Sequence, residues 1–181
     1  MSLPNILTIA RIVAILPIVL LILIDGTWAR WLALILFAAA AITDWLDGYL
    51  ARRSNIVSPL GRMLDPIADK MLVAALLVIF AFDGTFSWLD LIPALAILMR
   101  EVLISGLREH LGNSNVVLNV TMLAKYKATI QLVAIGLLIA VPLVPGLGLW
   151  AHLLFWVAGA LTVWTGWDYF RTAWPHLGEG K

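Results

Sequence analysis

The chain has no cysteine among its 181 residues, which excludes disulfide bonds and thiolate metal ligands. Charged residues make up only 13% of it, whereas 62% of the residues are hydrophobic and the mean hydropathy is +0.99. So little charge excludes the soluble globular class and leaves no room for a sizeable soluble domain. The formal net charge of +1 gives no reason to expect a nucleic-acid partner. The composition predicts one compact membrane domain over residues 1–181.

Two common nucleotide-binding motifs are also missing. The sequence has neither a Walker A motif nor a G-x-G-x-x-G, so a nucleotide bound here is not held by a P-loop. Its three histidines, His110, His152 and His176, are scattered along the chain and are interpreted as surface or interface residues. Histidine therefore is not expected to supply the metal ligands or the catalytic base.

Turn signals and prolines divide the chain into six predicted apolar helices. Turns are expected at 25–27, 83–85 and 145–146, and each contains a glycine. The predicted helices cover about residues 6–24, 28–51, 65–82, 88–108, 122–141 and 149–170, most of them long enough to cross a bilayer. The fold class predicted is an all-α integral membrane protein with six transmembrane helices.

Lysine and arginine are distributed very unevenly over this predicted topology. Six helices put both termini on one side, and Arg30 alone of the 12 cations falls on the other side. The remaining cations are Arg11, Arg52, Arg53, Arg62, Lys70, Arg100, Arg108, Lys125, Lys127, Arg171 and Lys181. Positive residues are retained on the cytoplasmic side. We therefore expect a multi-pass membrane protein with both termini and residues 44–70 on the cytoplasmic side.

Four aspartates are concentrated in one stretch, residues 44–70, which reads DWLDGYLARRSNIVSPLGRMLDPIADK. Asp44 and Asp47 are three apart and Asp65 and Asp69 are four apart, so each pair shares a helix face. Carboxylates this close together repel one another unless cations lie between them. Carboxylate oxygens suit Mg²⁺ or Mn²⁺, and two such ions can bind a pyrophosphate. The stretch predicts a metal-assisted phosphoryl-transfer site at a membrane surface.

A simpler interpretation is a solvated loop in which these aspartates pair with nearby cations such as Arg52, Arg53, Arg62 and Lys70. The small residues of the stretch favour a ligand site instead. Gly48 and Ala51 lie one turn from each other on the helix that carries the first aspartate pair, and Gly61 precedes the second pair. Small side chains there leave room for a ligand.

The pattern Asp44-x2-Asp47-Gly48-x2-Ala51-Arg52-x8-Gly61-x3-Asp65-x3-Asp69 resembles the CDP-alcohol phosphotransferase signature at every fixed position. This resemblance implies a six-helix membrane enzyme, usually a homodimer, whose divalent-metal site faces the cytoplasm. It also implies transfer of a phosphatidyl-type group from a CDP-linked donor to an alcohol, with release of CMP.

The resemblance assigns roles within the signature. It implies that the metal ligands are Asp44, Asp47, Asp65 and Asp69, around what are expected to be two Mg²⁺ or Mn²⁺ ions. Asp69 is the implied general base. The implied CDP-binding residues are Asp44, Gly48, Ala51, Arg52 and Gly61, with Arg52 near the phosphates.

Further stretches, PNILTIARIVAILP, LDPIADK, MREVLISGLR and LAKYKATIQ, are similar to bacterial phosphatidylglycerophosphate synthases. That subfamily uses CDP-diacylglycerol and glycerol 3-phosphate. An anionic acceptor needs cationic donors. The residues expected to bind it are Thr8, Arg11, Arg100, Arg108, Lys125 and Lys127. For Arg108 and Lys127, a role as membrane anchors is an equally good interpretation.

Three other functions are compatible with parts of the pattern. The same chemistry can take another acceptor, namely serine, inositol phosphate or phosphatidylglycerol. Intramembrane aspartates also occur in cation or proton transporters, although transport does not explain the spacing of the small residues. A catalytically inactive scaffold of the same fold is a third alternative, against which the intact signature argues.

Overall fold

The computed structural model of the chain describes residues 3–24, 26–54, 59–113 and 122–177, and within these ranges it contains helices and no strand. Side chains are described there except at 3–4, 45–54, 59–60, 62, 113, 124 and 125. The α-helices are α1 (Leu3–Leu23), α2 (Thr27–Ser54), α3 (Pro59–Phe82), α4 (Leu91–Asn113), α5 (Met122–Ala140) and α6 (Leu147–Ala173). Short 3₁₀ helices, Trp88–Asp90 and Trp174–His176, precede α4 and follow α6. The all-helical prediction is confirmed in the described ranges.

Glycines with left-handed backbone mark the three turns expected from the sequence. Gly26, Gly84 and Gly146 have φ angles of 144°, 79° and 81°. Side chains with a Cβ rarely adopt such angles, which is why glycine ends the apolar runs at these points. The divisions between α1 and α2, after α3, and between α5 and α6 were therefore readable in the sequence.

The start of α3 differs from the prediction. The sequence predicted a helix from about residue 65, but α3 begins at Pro59. Proline suits a first helical position because its missing N–H would have no intrahelical partner there. Asp65, Pro66 and Asp69 consequently lie inside the helix. The second aspartate pair is therefore held on a regular helix face.

Three helical segments in the described part of the chain are long and apolar enough to cross a membrane. They are Asn5–Leu23, Thr27–Asp44 and Leu147–His176, and Tyr126–Ala140 is a shorter apolar helix. Many of their large apolar side chains are exposed, including Val13, Trp28 and Trp164. Exposed apolar surface on this scale suits contact with lipid. The molecule is a helical membrane protein, and its six-span count and orientation stay predictions.

Two compact units make up the chain. The first comprises Met1–Phe86 and Gly136–Gly148. In it, α1 packs against both α2 and α3. Ala29 and Ala33, one turn apart on α2, are fully buried, and small residues at such spacing allow helices to approach closely. This unit contains the whole aspartate stretch, so α1 is its shared support.

The second unit comprises Ser87–Ile135 and Leu149–Lys181. The buried residues of α6 there include Ala151, Phe155, Ala158 and Gly159, at the spacing of one helix face. A Cβ added to Gly159 would lie 2.5 Å from Cβ of Pro93. Glycine is thus required where α6 meets α4.

Candidate active site

The first half of α1 carries a buried polar stripe. Asn5, Thr8 and Arg11 are spaced three apart and are all buried, although α1 is otherwise largely apolar. Ile18 and Ile22 are buried farther along the same helix. Burying polar groups is costly unless they have partners. The stripe therefore indicates polar partners on the neighbouring helices.

Arg11 reaches the first aspartate of the signature. Its Nη1 donates a hydrogen bond to Oδ1 of Asp44 at 2.5 Å. The Arg11 side chain is only 1% exposed, whereas that of Asp44 is 41% exposed. A buried cation thus holds a carboxylate that remains open to solvent, as a ligand-binding carboxylate must.

Thr8 makes the corresponding contact with the second aspartate pair. Its hydroxyl donates a hydrogen bond to Oδ1 of Asp65, on α3. The sequence predicted that Thr8 and Arg11 bind the acceptor. In the structure both contact signature carboxylates, which links them to the aspartate site, and acceptor binding by them stays a prediction. The signal for these two residues in the sequence is that both are polar within an otherwise apolar segment.

The other predicted residues of this site are described to different extents. Asp69 is exposed on α3, one turn after Asp65, and Gly61 is buried. Asp47, Gly48, Ala51 and Arg52 lie on α2, but their side chains are outside the described part of the structure. The positions along α2 and α3 are therefore known, whereas the roles remain predictions.

The donor set suits a divalent metal. Among the described residues, no group of three or more His, Cys, Asp or Glu is arranged to hold one. The side chain of Asp47 is outside the described part of the structure, so the predicted set of four carboxylates stays a prediction. Asp44 is partly exposed and Asp69 is exposed, and carboxylate oxygens are the ligands that hard divalent cations prefer. The residues present fit such an ion.

A second charged cluster lies on α4 and α5, in the other unit. Oε1 of Glu101 accepts a hydrogen bond from Nη1 of Arg100 at 3.2 Å and another from Nζ of Lys127. Adjacent residues of a helix do not face each other, but the long side chains of Arg100 and Glu101 meet beyond the helix surface. Glu101 therefore joins two of the predicted acceptor-binding cations.

Two further predicted acceptor residues are not placed in this cluster. Arg108 is exposed on α4, about two turns beyond Arg100. Lys125 lies on α5 with its side chain outside the described set.

Two residues of this region were not predicted from the sequence, Glu101 and Gln131. Gln131 is 4% exposed, and its Oε1 has no hydrogen-bond partner among the described residues. Its spacing of four from Lys127 was the available signal.

An apolar groove of about 800 Å³ lies beside Arg100, between α4 and α6. Met99, Leu103, Trp167 and Phe170 are among the residues that line it, and Arg100 is the charged residue in its lining. A Cβ added to Gly166 would lie 2.9 Å from Cγ of Arg100. Gly166 therefore provides the space in which the Arg100 side chain lies. An apolar groove next to a cation suits an acyl chain of an anionic lipid.

Asp90 forms a separate buried network at the start of α4. Its Oδ2 accepts hydrogen bonds from the backbone N–H and hydroxyl of Ser87, at 2.9 and 2.7 Å, and lies 3.1 Å from Nδ1 of His152. Oδ1 accepts a hydrogen bond from Nε1 of Trp156 at 3.1 Å. Burial alone would raise the pKa of Asp90, but the bonds from Ser87 and the contact with His152 lower it overall. With both oxygens occupied, this carboxylate ties α6 to the start of α4.

Comparison with known proteins agrees with the signature. The family described as CDP-alcohol phosphatidyltransferase matches residues 1–164. A protein of Cereibacter sphaeroides named CDP-diacylglycerol–glycerol-3-phosphate 3-phosphatidyltransferase is 42% identical, with 99% of both chains covered. A Rickettsia typhi protein of the same name is 43% identical over 94% of this chain and 96% of its own.

A more distant relative carries a different name. The Oryza sativa protein named cardiolipin synthase (CMP-forming) is 35% identical over 98% of this chain and 59% of its own length. The family match covers the first unit, the second unit as far as residue 164, and both charged clusters. By this match and by the intact signature, the chain belongs to the CDP-alcohol phosphatidyltransferase family.

Proposed function

We propose that this protein transfers the phosphatidyl group of CDP-diacylglycerol to glycerol 3-phosphate, giving phosphatidylglycerol phosphate and CMP. Two bacterial relatives bearing the name of this activity are similar along 94–99% of the chain. The structural observation that carries the reaction class is the attachment of Asp44 and Asp65 to one helix, through Arg11 and Thr8. This arrangement ties the two halves of the signature to a common support.

The proposed reaction is a direct displacement. Asp69 accepts the proton of the primary hydroxyl of glycerol 3-phosphate. The hydroxyl oxygen forms a bond to the β-phosphorus of CDP-diacylglycerol, and the bond from that phosphorus to the CMP oxygen breaks. Arg11 and Thr8 hold Asp44 and Asp65 in position throughout. Fixed geometry of this kind lowers the entropic part of the barrier.

Members of the family generally depend on a divalent metal. We assign its binding to Asp44, Asp47, Asp65 and Asp69, with two Mg²⁺ or Mn²⁺ ions. When bound, such ions neutralise charge on the pyrophosphate and the leaving group. The CDP moiety is assigned to Asp44, Gly48, Ala51, Arg52 and Gly61.

The acceptor phosphate is assigned to the cations of the second unit. Arg100 and Lys127 share the single carboxylate of Glu101, so these three side chains carry a net positive charge. Arg108 and Lys125 add further positive charge on the same two helices. A surplus of cations favours a phosphorylated acceptor over a neutral one. The adjacent apolar groove suits a substrate with acyl chains.

We also propose the arrangement of the protein in its membrane. Six spans with cytoplasmic termini put all but one of the 12 lysines and arginines on the cytoplasmic side. The aspartates then face the cytoplasm, where water-soluble glycerol 3-phosphate is accessible, while the acyl chains stay in the bilayer. A bacterial-type inner membrane and a homodimer are the corresponding location and assembly.

The test is an acceptor panel. Purified protein is mixed with CDP-diacylglycerol in detergent micelles, with Mg²⁺ or Mn²⁺, and release of CMP is measured with glycerol 3-phosphate, serine, inositol phosphate and phosphatidylglycerol. We expect rapid release with glycerol 3-phosphate only. Release with serine alone would overturn the acceptor assignment, and no release with any alcohol would overturn the reaction class.

Transfer to phosphatidylglycerol is the second candidate, because the rice relative named cardiolipin synthase spans almost the whole chain. The same panel separates the two functions by the lipid formed. Cardiolipin as the main product would favour the second candidate. The positive cluster around Glu101 favours the first, since glycerol 3-phosphate carries the larger negative charge.

A further inference from the structure

Two buried polar atoms near the Glu101 cluster have opposite hydrogen-bonding character. Nε of Arg100 is a donor and Oε1 of Gln131 is an acceptor, and neither has a partner among the described residues. Gln131 lies four residues after Lys127, so the two share a face of α5 about 6 Å apart along its axis. Both residues are buried. Lys127 in turn contacts Glu101, the neighbour of Arg100.

Buried polar atoms without partners are rare in folded proteins and call for an explanation. A ligand that satisfies both atoms must bring an acceptor to Arg100 and a donor to Gln131. Phosphate oxygens satisfy the guanidinium. They do not satisfy the amide oxygen of Gln131, because both groups are acceptors. The ligand must therefore carry a hydroxyl or another donor in addition to its anionic group.

Charge decides between the possible donors. Arg100 and Lys127 contribute two positive charges and Glu101 one negative charge, which leaves one positive charge in the cluster. An ammonium donor would be repelled by that charge, whereas a hydroxyl would not. A phosphorylated polyol fits both the charge and the pair of unpartnered atoms.

We infer that Gln131 is a specificity-determining residue that accepts a hydrogen bond from the hydroxyl of glycerol 3-phosphate that does not react. This inference rests on the proposed function, in which the primary hydroxyl attacks and the middle hydroxyl is retained. Arg100 binds the phosphate, and Glu101 positions Arg100 and Lys127 for that contact. A site built to bind a hydroxyl discriminates strongly against an analogue that lacks it, since the amide oxygen is then left buried and unpaired.

The test compares glycerol 3-phosphate with 3-hydroxypropyl phosphate, which lacks only the middle hydroxyl. The kcat/KM for CMP release is measured with both acceptors for the full-length wild type and for Gln131→Met, which keeps the side-chain length. We expect the wild type to prefer glycerol 3-phosphate by about 100-fold, and Gln131→Met to reduce this preference to about threefold. Gln131→Met should lower the kcat/KM for glycerol 3-phosphate and should not lower it for the analogue, because no buried acceptor is then left unpaired.

Two further variants distinguish recognition from packing. Thr162 on α6 is fully buried and its hydroxyl also has no partner among the described residues. Thr162→Val, which removes that polar atom at nearly constant volume, should leave the acceptor preference unchanged. Gln131→Glu keeps an acceptor oxygen and should retain the preference, although its added negative charge should raise the KM for both acceptors.

An unchanged preference in Gln131→Met would overturn the inference and leave the proposed function intact. If Gln131→Met does not fold, loss of the preference in Gln131→Glu would overturn it equally. No CMP release from the wild type with glycerol 3-phosphate would instead overturn the proposed function. The two failures are therefore distinguishable in one set of assays.

Discussion

Among the described residues, the first unit contains two arginine–aspartate pairs that involve α2, one near its start and one in its second half, and they differ in what the aspartate can do. Arg30 donates to Oδ2 of Asp83 at 2.6 Å, and Oδ1 of Asp83 accepts the backbone N–H of Thr85 at 3.0 Å. The Asp83 side chain is only 7% exposed. Asp44 is also paired with an arginine, yet its side chain is 41% exposed.

The difference lies in how completely each carboxylate is satisfied within the protein. Asp83 has both oxygens bonded and closes the turn after α3, which is a structural use of charge. Asp44 is held by Arg11 but remains accessible, which is what a ligand requires. The same pair of residue types therefore stabilises the fold near the start of α2, where Arg30 binds Asp83. In the second half of α2, where Arg11 binds Asp44, it prepares a site. Exposure of the carboxylate, rather than the ion pair itself, separates the two uses.

The largest effect is expected from Asp69→Asn, which removes an exposed carboxylate of the signature on α3. Loss of a general base lowers kcat by about 10²- to 10⁴-fold. The melting temperature in detergent should change little, because Asp69 is exposed. CMP release and thermal unfolding are measured on the same preparation. Full turnover in this variant would contradict the assignment of Asp69 as the base.

For the enclosed Arg30–Asp83 pair we expect the reverse: a loss of stability with kcat retained. Asp83→Leu leaves Arg30, whose side chain is 14% exposed, without its counter-ion, and breaking a buried pair destabilises a protein by about 3–5 kcal/mol. The melting temperature should fall markedly, while the kcat of the remaining folded protein is retained. The double variant Arg30→Met with Asp83→Leu should recover part of the stability. A large loss of kcat without a loss of stability would remove the distinction between the two pairs.

Substitutions of Arg11 test whether Asp44 needs the contact with α1 to keep its position. Arg11→Met leaves Asp44 without the cation that holds it and should lower kcat by about 10- to 100-fold, the scale on which misplacing a reacting group acts. Arg11→Lys keeps the charge and should retain more activity. Turnover and thermal unfolding are measured for both. Equal activity of Arg11→Met and the wild type would show that Asp44 needs no support from α1.

Two glycines of α6 extend the comparison to the second unit. A Cβ at Gly159 would lie 3.1 Å from Cα of Pro93 as well as 2.5 Å from its Cβ, whereas at Gly166 it would meet the Arg100 side chain. Backbone yields less easily than a side chain. Gly159→Ala should therefore lower the melting temperature. Gly166→Ala should chiefly raise the KM for glycerol 3-phosphate, by about threefold to tenfold, the scale of one weakened charged hydrogen bond. A lowered melting temperature with unchanged KM in Gly166→Ala would contradict this.

The smallest effect is a pH dependence at Asp90. Its pKa is lowered from the ordinary 3.8, so the stability that it contributes is fully present above that value. That contribution is lost as the pH falls through the lower pKa of the folded state. The melting temperature of the wild type should therefore fall more steeply below about pH 4 than that of Asp90→Asn. Parallel profiles would mean that the Ser87 and His152 contacts do not favour the ionised form.

Local chemistry made much of the fold predictable. Runs of apolar residues predicted the helices, and glycines at 26, 84 and 146 predicted the turns, because both signals act within a few residues. The start of α3 was mispredicted because Asp65-Pro66 is also a good helix start. Pro59 is an equally good helix start, so the local sequence does not decide between the two positions.

The site was predictable where the chemistry is local and not where it depends on partners distant in the chain. The paired spacing of the aspartates predicted Asp44, Asp65 and Asp69 as site residues, and the structure connects the first two to α1. The contacts of Arg11 and Thr8 with those residues join positions 33 and 57 apart, which spacing rules do not address. Glu101 was not among the predicted site residues, because the helix-face rule pairs residues three or four apart and neglects the reach of long adjacent side chains.

The buried arginine of α1 has a consequence for biogenesis. Helix α1 leaves the ribosome before α2, so Arg11 reaches the membrane before its counter-ion has been synthesised. An uncompensated arginine at the centre of a spanning helix costs about 2.5–3.5 kcal/mol on insertion scales, and less near the helix end. We therefore expect α1 to reach its final position in the membrane only after α2 has been inserted and Asp44 can pair with Arg11. Membrane integration of the first two helices and assembly of the carboxylate site would then be one event.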